Sequence, residues 1–463
     1  MSVDAAHDAY AALRIPGFRR YLTGNVIGLL GLQMQATAVG WDVYSRTTSN
    51  YDLGLVGLIQ FLPVLLFSLP AGFLADQFER KRIVQIFLGL STLTSMALAC
   101  ISLTRAPLWT MYVTLFLAGV ARAVQQPAKA SLLPLIVPRS VFPNALTWHS
   151  TGFQLAMVGG PMLAGLIMAV TFPAWVFLLE GLATGLFVIL LFWIPTAPQD
   201  RRPAANPVKE LLAGMSFVWH QRIILSALSL DLFAVLLGGS VTLIPVFSSQ
   251  VLNLDVELYW VRDVVAMLPT SVLSLFHVVV GGPHGGEATL DLKAVGNGLF
   301  RSAPAIGALV TSVALAHRSP MNKPGRLMLW SVVGFGVATI VFGLSRSFWL
   351  SWFMLFLTGA FDMISVVIRH SLVQLLTPDA MRGRVSAVNG LFIGASNELG
   401  GFESGSVAGL LDRPNDPKFG PTMSVVLGGI GTILVVGLIG WLHPSLRRMR
   451  REDLDAEKAV REL

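Results

Sequence analysis

The chain has 463 residues, 54% of them hydrophobic and 13% charged, with a mean hydropathy of +0.67 and a formal net charge of +7. Soluble domains carry about 25% charged residues, so this chain lacks the polar surface to face water all round, and its solvent must be largely lipid. The basic excess sits in short clusters between apolar runs, as a membrane protein orients itself, rather than in a nucleic-acid-binding face.

In chain order, residues 1–16 are polar and lack the apolar centre of a cleavable signal, so the first span is expected to serve as its own signal. Apolar stretches of about 20 residues then recur at roughly 18–45, 53–75, 83–103, 107–127, 148–170 and 173–194. A polar linker, 195–221, follows, with an amphipathic helix expected near Val208 to Trp219. Six more candidates occupy roughly 222–250, 293–316, 327–345, 348–370, 385–411 and 422–443. The reading is an all-α membrane protein of twelve spans. It divides into a first six-helix half at 1–194, the linker at 195–221, a second half at 222–443 and a tail at 444–463. Counting Lys and Arg with the N-terminus inside gives 24 in cytoplasmic segments, Arg369 included, against 7 outside. That bias places both termini in the cytoplasm.

The halves are copies. At a shift of 240 residues Leu117 and Gly119 fall on Leu357 and Gly359, Lys129 on Arg369, Pro138 on Pro378, Gly160 on Gly400 and Gly165 on Gly405. Gln221-Arg222 aligns with Arg19-Arg20 at a shift of only 202, so about 38 residues are inserted after the seventh span, near 255–290 on the outer side. Its apolar run, Val264 to Val280, is interrupted by Pro269; a thirteenth span there would turn the later basic loops outward, so it is read as an interfacial or loop-packed element, with a lid over the outer mouth as one role.

Between spans two and three stands Gly72-Phe-Leu-Ala-Asp76-Gln-Phe-Glu79-Arg80-Lys81-Arg82. Gly72 would let two helices approach, and Asp76 with Arg80 and Lys81 would form a cytoplasmic charge latch; a plain positive-inside loop explains Lys81 and Arg82 equally well. This segment resembles the loop signature of the major facilitator superfamily, although Gln77 and Glu79 replace a common Arg and Gly. Ala38-Val-Gly-Trp41, Leu53-Gly-Leu-Val-Gly57, Ala121-Arg122, Pro127-Ala128, Asn144-Ala145 and Asn397-Glu398-Leu399-Gly400-Gly-Phe-Glu403-Ser-Gly405 are similar to the branch that contains the enterobactin (siderophore) exporters. The resemblance covers nearly the whole chain except the insert. It implies a twelve-helix carrier working by alternating access. The fifth span, with Gly159, Gly160, Pro161 and Gly165, matches the Gly-rich, Pro-containing fifth span of the superfamily's exporters. That likeness implies export rather than import; an ordinary small-residue packing face is the alternative and would leave direction open.

Ionisable residues within spans cost about 2.5–3.5 kcal/mol each on insertion scales and so mark function: Asp42, Arg122, Glu180, Asp231, Arg301, Asp362, Glu398 and Glu403. Arg122 matches the fourth-span Arg that the superfamily associates with proton coupling in exporters. Proton-coupling candidates are therefore Arg122, Asp231 and Glu398 first, then Glu403 and Asp42, each of which a structural ion pair would explain equally well. No Walker A sequence is present, the eight His lack metal-ligand spacing, and Cys100, the single cysteine, has no intrachain partner. Neither cofactor nor metal is expected.

The expectation is a monomeric, proton-driven efflux antiporter in the bacterial inner membrane. Its partners would be a small-molecule substrate (a siderophore or a lipophilic drug-like compound), protons and the bilayer. A metabolite importer and a transport-inactive sensor are the alternatives.

Overall fold

The computed structural model describes residues 8–197, 207–258, 261, 291–317, 322–378 and 381–449, and no β-strand occurs among them. Helices stand where hydropathy places spans. The first six are α1 (Pro16–Thr47), α2 (Asn50–Gln77), α3 (Arg80–Thr104), α4 (Leu108–Ala130), α5 (Phe142–Val170) and α6 (Pro173–Phe192). The linker helix α7 is Pro207–His220. Then come α8 (Arg222–Leu237), α9 (Leu292–Ala316), α10 (Pro324–Leu344), α11 (Phe348–Leu376), α12 (Arg382–Leu410) and α13 (Phe419–Leu442). Among the described residues, ten segments are long and apolar enough to cross a membrane. Helices α1 and α12 fall short on hydropathy, not length: with 32 and 29 residues they exceed the 20 or so a bilayer needs. Their polar residues face other helices, as Asn25 and Gln35 on α1 and Asn389 and Ser396 on α12 are buried.

The seventh span is broken. After α8 the chain turns at Gly238-Gly239 and continues as short helical pieces, Ser240–Leu243, Ile244–Val246 and Phe247–Val251. The break lies where α12 crosses: a Cβ on Gly239 would overlap the backbone of Gly400. The insert enters through a one-turn helix, Leu254–Glu257. There Glu257 accepts from the Phe348 N–H at 2.7 Å, capping α11. The apolar run from Val264 to Val280 lies outside the described residues.

Acyl chains are as apolar as Leu, so helices associate in lipid through close fit and polar pairs rather than hydrophobic burial. Within the first six, α1 packs on α5 and α6, α2 on α4, and α3 on α4 and α6; α10 packs on α11 and α13 in the last six. The bundle has two ends: one carries the linker (the linker end), the other the α1–α2 turn (the far end). At the far end a single buried cluster joins both sets of six, with Met34, Ala38 and Val56 meeting Ile244, Phe247 and Phe300. At the linker end the apolar contacts split into two clusters. One is confined to the first six (Phe18, Val84, Leu132, Phe187) and one to the last six with the linker helix (Leu228, Ile368, Val385, Val436).

Two crossings close the far end, α2 on α12 and α5 on α9. A Cβ on Gly405 would stand 2.5 Å from the Cα and N of Gly54 and 2.8 Å from the carbonyl of Asn50. A Cβ on Gly298 would stand 2.5 Å from the Pro161 carbonyl and 2.8 Å from the Cα of Gly165. Only glycine permits backbones this close. The 240-residue register explains the pairing: Gly165 and Gly405 are equivalent positions, and each meets a glycine of the other half. Toward the linker end α2 and α12 diverge. A Cβ on Gly394 would be 3.7 Å from Val64, and on Gly72, Gly383 or Gly390 it would meet nothing within 4 Å. The close approach expected at Gly72 is therefore absent from this conformation; the glycines in tight contact lie at the opposite end.

Candidate functional site

Between the two sets of six, beyond the glycine crossings, lies a cleft with a thin layer of charge. Arg122, on α4, donates from Nη2 to Oε1 of Gln60 on α2 at 2.8 Å. The same nitrogen stands 3.9 Å from Oε1 of Glu398 on α12. The Arg122 and Glu398 side chains are 32% and 26% exposed, and the pair joins opposite halves. Arg301, on α9, reaches back across the boundary and donates to the Ala36 carbonyl of α1 at 2.6 Å. Glu398 thus faces a cation of the opposite half, an arrangement whose charge balance changes if Glu398 takes a proton.

Arg122 also borders a cavity of about 60 Å³ inside the first six, shared with Gln35, Ser95, Gln125, Lys129 and Glu180. Small-molecule sites span roughly 300–1,000 Å³, so in this conformation the cavity is sized for a few waters. Lys129 lies at its edge, with Nζ 5.3 Å from the centre of the Phe187 ring.

The other sequence candidates take separate places. Asp231 forms a buried ion pair with Arg369 of α11, wholly within the last six. Arg369, counted above in a cytoplasmic loop, is 2% exposed inside its helix, which runs six residues past the apolar stretch to Leu376. Lys129, its repeat-related counterpart, lacks the acid, because Leu29 stands where the 202-residue register puts Asp231. Asp42 is 4% exposed and bound bidentately by Arg46 at 2.9 and 3.0 Å. Arg46 also donates to the carbonyls of Ile101 and Ala106, so this pair staples α1 to the end of α3. Glu403 accepts from its neighbour Ser404 at 3.3 Å. Of the loop residues, Lys81 donates to the Ile194 carbonyl at 2.8 Å and Arg80 to the Ala75 carbonyl at 3.4 Å. The Asp76 side chain lies outside the described residues. Helix α5 runs unbroken through Pro161; Gly160 faces Gln33 and Leu30 of α1, Gly159 makes ordinary contact with Leu30, and Gly165 forms the α9 crossing.

Sequence reasoning gave no rank to Arg301, Gln60 or Lys129. Arg301 was visible as an intramembrane charge, but its acceptor is a backbone carbonyl, which no side chain announces. Across the closed end, Asn50 donates to both carboxylate oxygens of Asp412 at 2.9 Å, a bond between residues 362 apart in sequence. Partial desolvation against this crossing holds the largely exposed Asp412 carboxyl above its ordinary range, partly offset by the Asn50 amide.

A model of the Major Facilitator Superfamily matches residues 21–401. The chain belongs to that superfamily. Curated major facilitator relatives include the enterobactin exporter EntS of Citrobacter koseri (strain ATCC BAA-895 / CDC 4225-83 / SGSC4696), 27% identical over 440 residues, 94% of each chain. EntS of Escherichia coli O81 (strain ED1a) is 26% identical over the same span and shares. Solved structures share the major facilitator fold. A bacterial homologue of the lysosomal transporter Spinster, crystallised inward-facing and occupied, has a TM-score of 0.66 at 13% identity, covering 96% of this chain and 99% of that one. A D-xylose–proton symporter has a TM-score of 0.64 at 12% identity, covering 93% and 97%. The chain is accordingly a multi-pass membrane transporter and not an enzyme.

Proposed function

We propose that this transporter exports a small molecule from the bacterial cytoplasm in exchange for protons, with Arg122, Glu398 and Arg301 as its coupling centre. The observation that carries the reading is the Glu398 carboxylate of one half standing 3.9 Å from the Arg122 guanidinium of the other, since a pair that joins the halves can link its protonation to their relative position. The linker end is taken as cytoplasmic from the distribution of Lys and Arg, with both termini on that side; the conformation described is then inward-facing. Substrate entering from the cytoplasm competes with Glu398 for the guanidiniums. A substrate carrying anionic or acidic hydroxyl groups is favoured, because Arg122, Arg301 and Lys129 outnumber Glu398 and Glu180. Once the far end opens, substrate leaves, and Glu398 takes up a proton from outside. The proton neutralises the carboxylate, and the halves return to release it inside. Each proton supplies about 2.3 kcal/mol per 100 mV and about 1.36 kcal/mol per pH unit, enough to concentrate a small molecule with one or two protons. The similarity to EntS supports a siderophore-like cargo, and lipophilic drug-like compounds are the second class. Asp231, Asp42 and Glu403, each with a partner inside one half, serve as structural anchors. The Gly72–Lys81 loop acts at the linker end when that end closes, and the glycines of α5 form the moving contact.

Inside-out membrane vesicles test this with a catecholate siderophore and a lipophilic cationic dye as probes. An imposed inward-acid gradient should drive accumulation of at least one, abolished by an uncoupler and by Arg122→Ala or Glu398→Gln with normal membrane insertion. No accumulation of either probe by the wild type would overturn the reading, full activity of both variants would remove the coupling centre, and gradient-driven loss from loaded vesicles would make the protein an importer.

A further inference from the structure

The cavity inside the first six helices contains an acid that the coupling centre does not use. Glu180 of α6 is 3% exposed. Its Oε1 accepts from Thr184 Oγ1 at 2.8 Å, while Oε2 has no hydrogen-bond partner among the described residues. Helix α1 seals it from one side: a Cβ on Gly31 would stand 3.2 Å from both Cα and Cγ of Glu180. The charged groups facing it are few. Helix α1 offers Gln35 at this level, and its nearest acid, Asp42, is two turns farther along and held by Arg46. Helices α3 and α5 offer no charged side chain there, because Arg80–Arg82 and His149 lie toward the linker end. Only α4 does, presenting Arg122 and Lys129 to the same cavity, and neither makes an ion pair with Glu180 among the described residues.

The polar groups between them form a ladder. Gln35 Nε2 donates to Ser95 Oγ at 3.0 Å, and Ser95 Oγ donates to the Ser91 carbonyl at 3.0 Å. Gln125 Nε2 reaches Ser91 Oγ at 3.5 Å, leaving Gln125 Oε1 a second buried acceptor without a donor. An ionised carboxylate supplies only acceptors, so it would leave two orphan acceptors on one small cavity, each desolvated without a compensating bond. One proton on Glu180 turns Oε2 into a donor, and a cavity water can then pass a hydrogen bond to Gln125.

We propose that Glu180 is a second proton-binding site, loaded through this cavity and communicating with the Arg122–Glu398 centre along the Ser95–Ser91–Gln125 ladder. The step is a proton transfer only: the carboxylate gains H⁺ from cavity water and returns it, with no other bond changed. The inference deepens the proton-coupled reading and rests on it for transport, although the existence of the site does not.

Infrared difference spectra of the purified transporter test it without any substrate. The C=O stretch of a protonated carboxylic acid should appear on acidification from alkaline pH, lose one component in Glu180→Gln, and keep that component in Glu398→Gln. Thr184→Val, which removes the donor to Oε1, should shift the same component in frequency and serves if Glu180→Gln does not fold. A band unchanged in both Glu180→Gln and Thr184→Val overturns the proposal. Because no cargo is involved, failure of the exporter reading in vesicles would leave this result interpretable.

Discussion

Replacing Gly405 with Ala should push the transporter out of the conformation described here. The added Cβ would stand 2.5 Å from the Cα and N of Gly54 and 2.8 Å from the Asn50 carbonyl. Carbon atoms prefer separations of about 3.5–4.0 Å, so the overlap is about 1 Å, and all three opposing atoms are backbone that no rotamer change can remove. Overpacking of this kind costs about 1–3 kcal/mol. The cost falls only on the state in which α2 and α12 touch. At about 1.4 kcal/mol per tenfold change, the closed far end should lose roughly 5- to 150-fold in population relative to the open one. Spin labels at the exposed positions Tyr51 and Leu410, in a Cys100→Ser background, report the separation of the two helix ends. Gly405→Ala should add or enlarge a long-distance component, and Gly298→Ala should do the same through the other crossing. Gly72→Ala is the control, because a Cβ there meets nothing within 4 Å. A distance distribution unchanged in Gly405→Ala, or moved equally by Gly72→Ala, would refute the reasoning.

Three further outcomes are expected. Asp231→Asn or Arg369→Met alone should destabilise the purified protein by about 3–5 kcal/mol, the usual consequence of stranding one member of a buried pair; the double replacement Asp231→Leu/Arg369→Met should recover much of that loss, read as thermal unfolding in detergent. Because closure at the far end raises the Asp412 carboxyl, the closed end binds that proton more tightly than the open one. Closure is then favoured fully below the ordinary carboxylate range, near 3.9, and the gain disappears as pH rises past the raised value. Asp412 is exposed, so the effect should stay below about 1 kcal/mol; the same spin labels should show it, and Asp412→Asn should flatten it. Arg46→Ala, which strands the buried Asp42, should lower thermal stability by several kcal/mol while the pH dependence of transport keeps its shape; a shifted pH profile would return Asp42 to the coupling set.

The helices were legible in the sequence because lipid imposes a simple rule on length and polarity. The two spans with weakest hydropathy, α1 and α12, are those whose polar residues turn inward toward other helices, so the same residues that lower their apolar signal mark a buried face. The internal repeat was legible in detail, since Gly165 and Gly405 proved to occupy matching crossings. Arg122 and Glu398 were visible as charges in apolar runs, but nothing in the sequence says that they face each other while Asp231 faces Arg369. Which charges meet is decided by helix rotation and by partners hundreds of residues away, as with Asn50 and Asp412. Acceptors on the backbone, such as the Ala36 carbonyl under Arg301, have no side-chain signature at all. The break at Gly238-Gly239 was hidden because glycine pairs recur throughout the spans for packing reasons.

The glycine crossings also separate two duties within the molecule. The seal at the far end is backbone against backbone and is specified by the absence of side chains, whereas recognition is specified by what Gln60, Arg122 and Arg301 present between the halves. Residues of the second kind can be exchanged without touching the first. The barrier against leakage and the choice of cargo can therefore change independently, and a carrier built this way can acquire a new cargo while keeping an unchanged stroke.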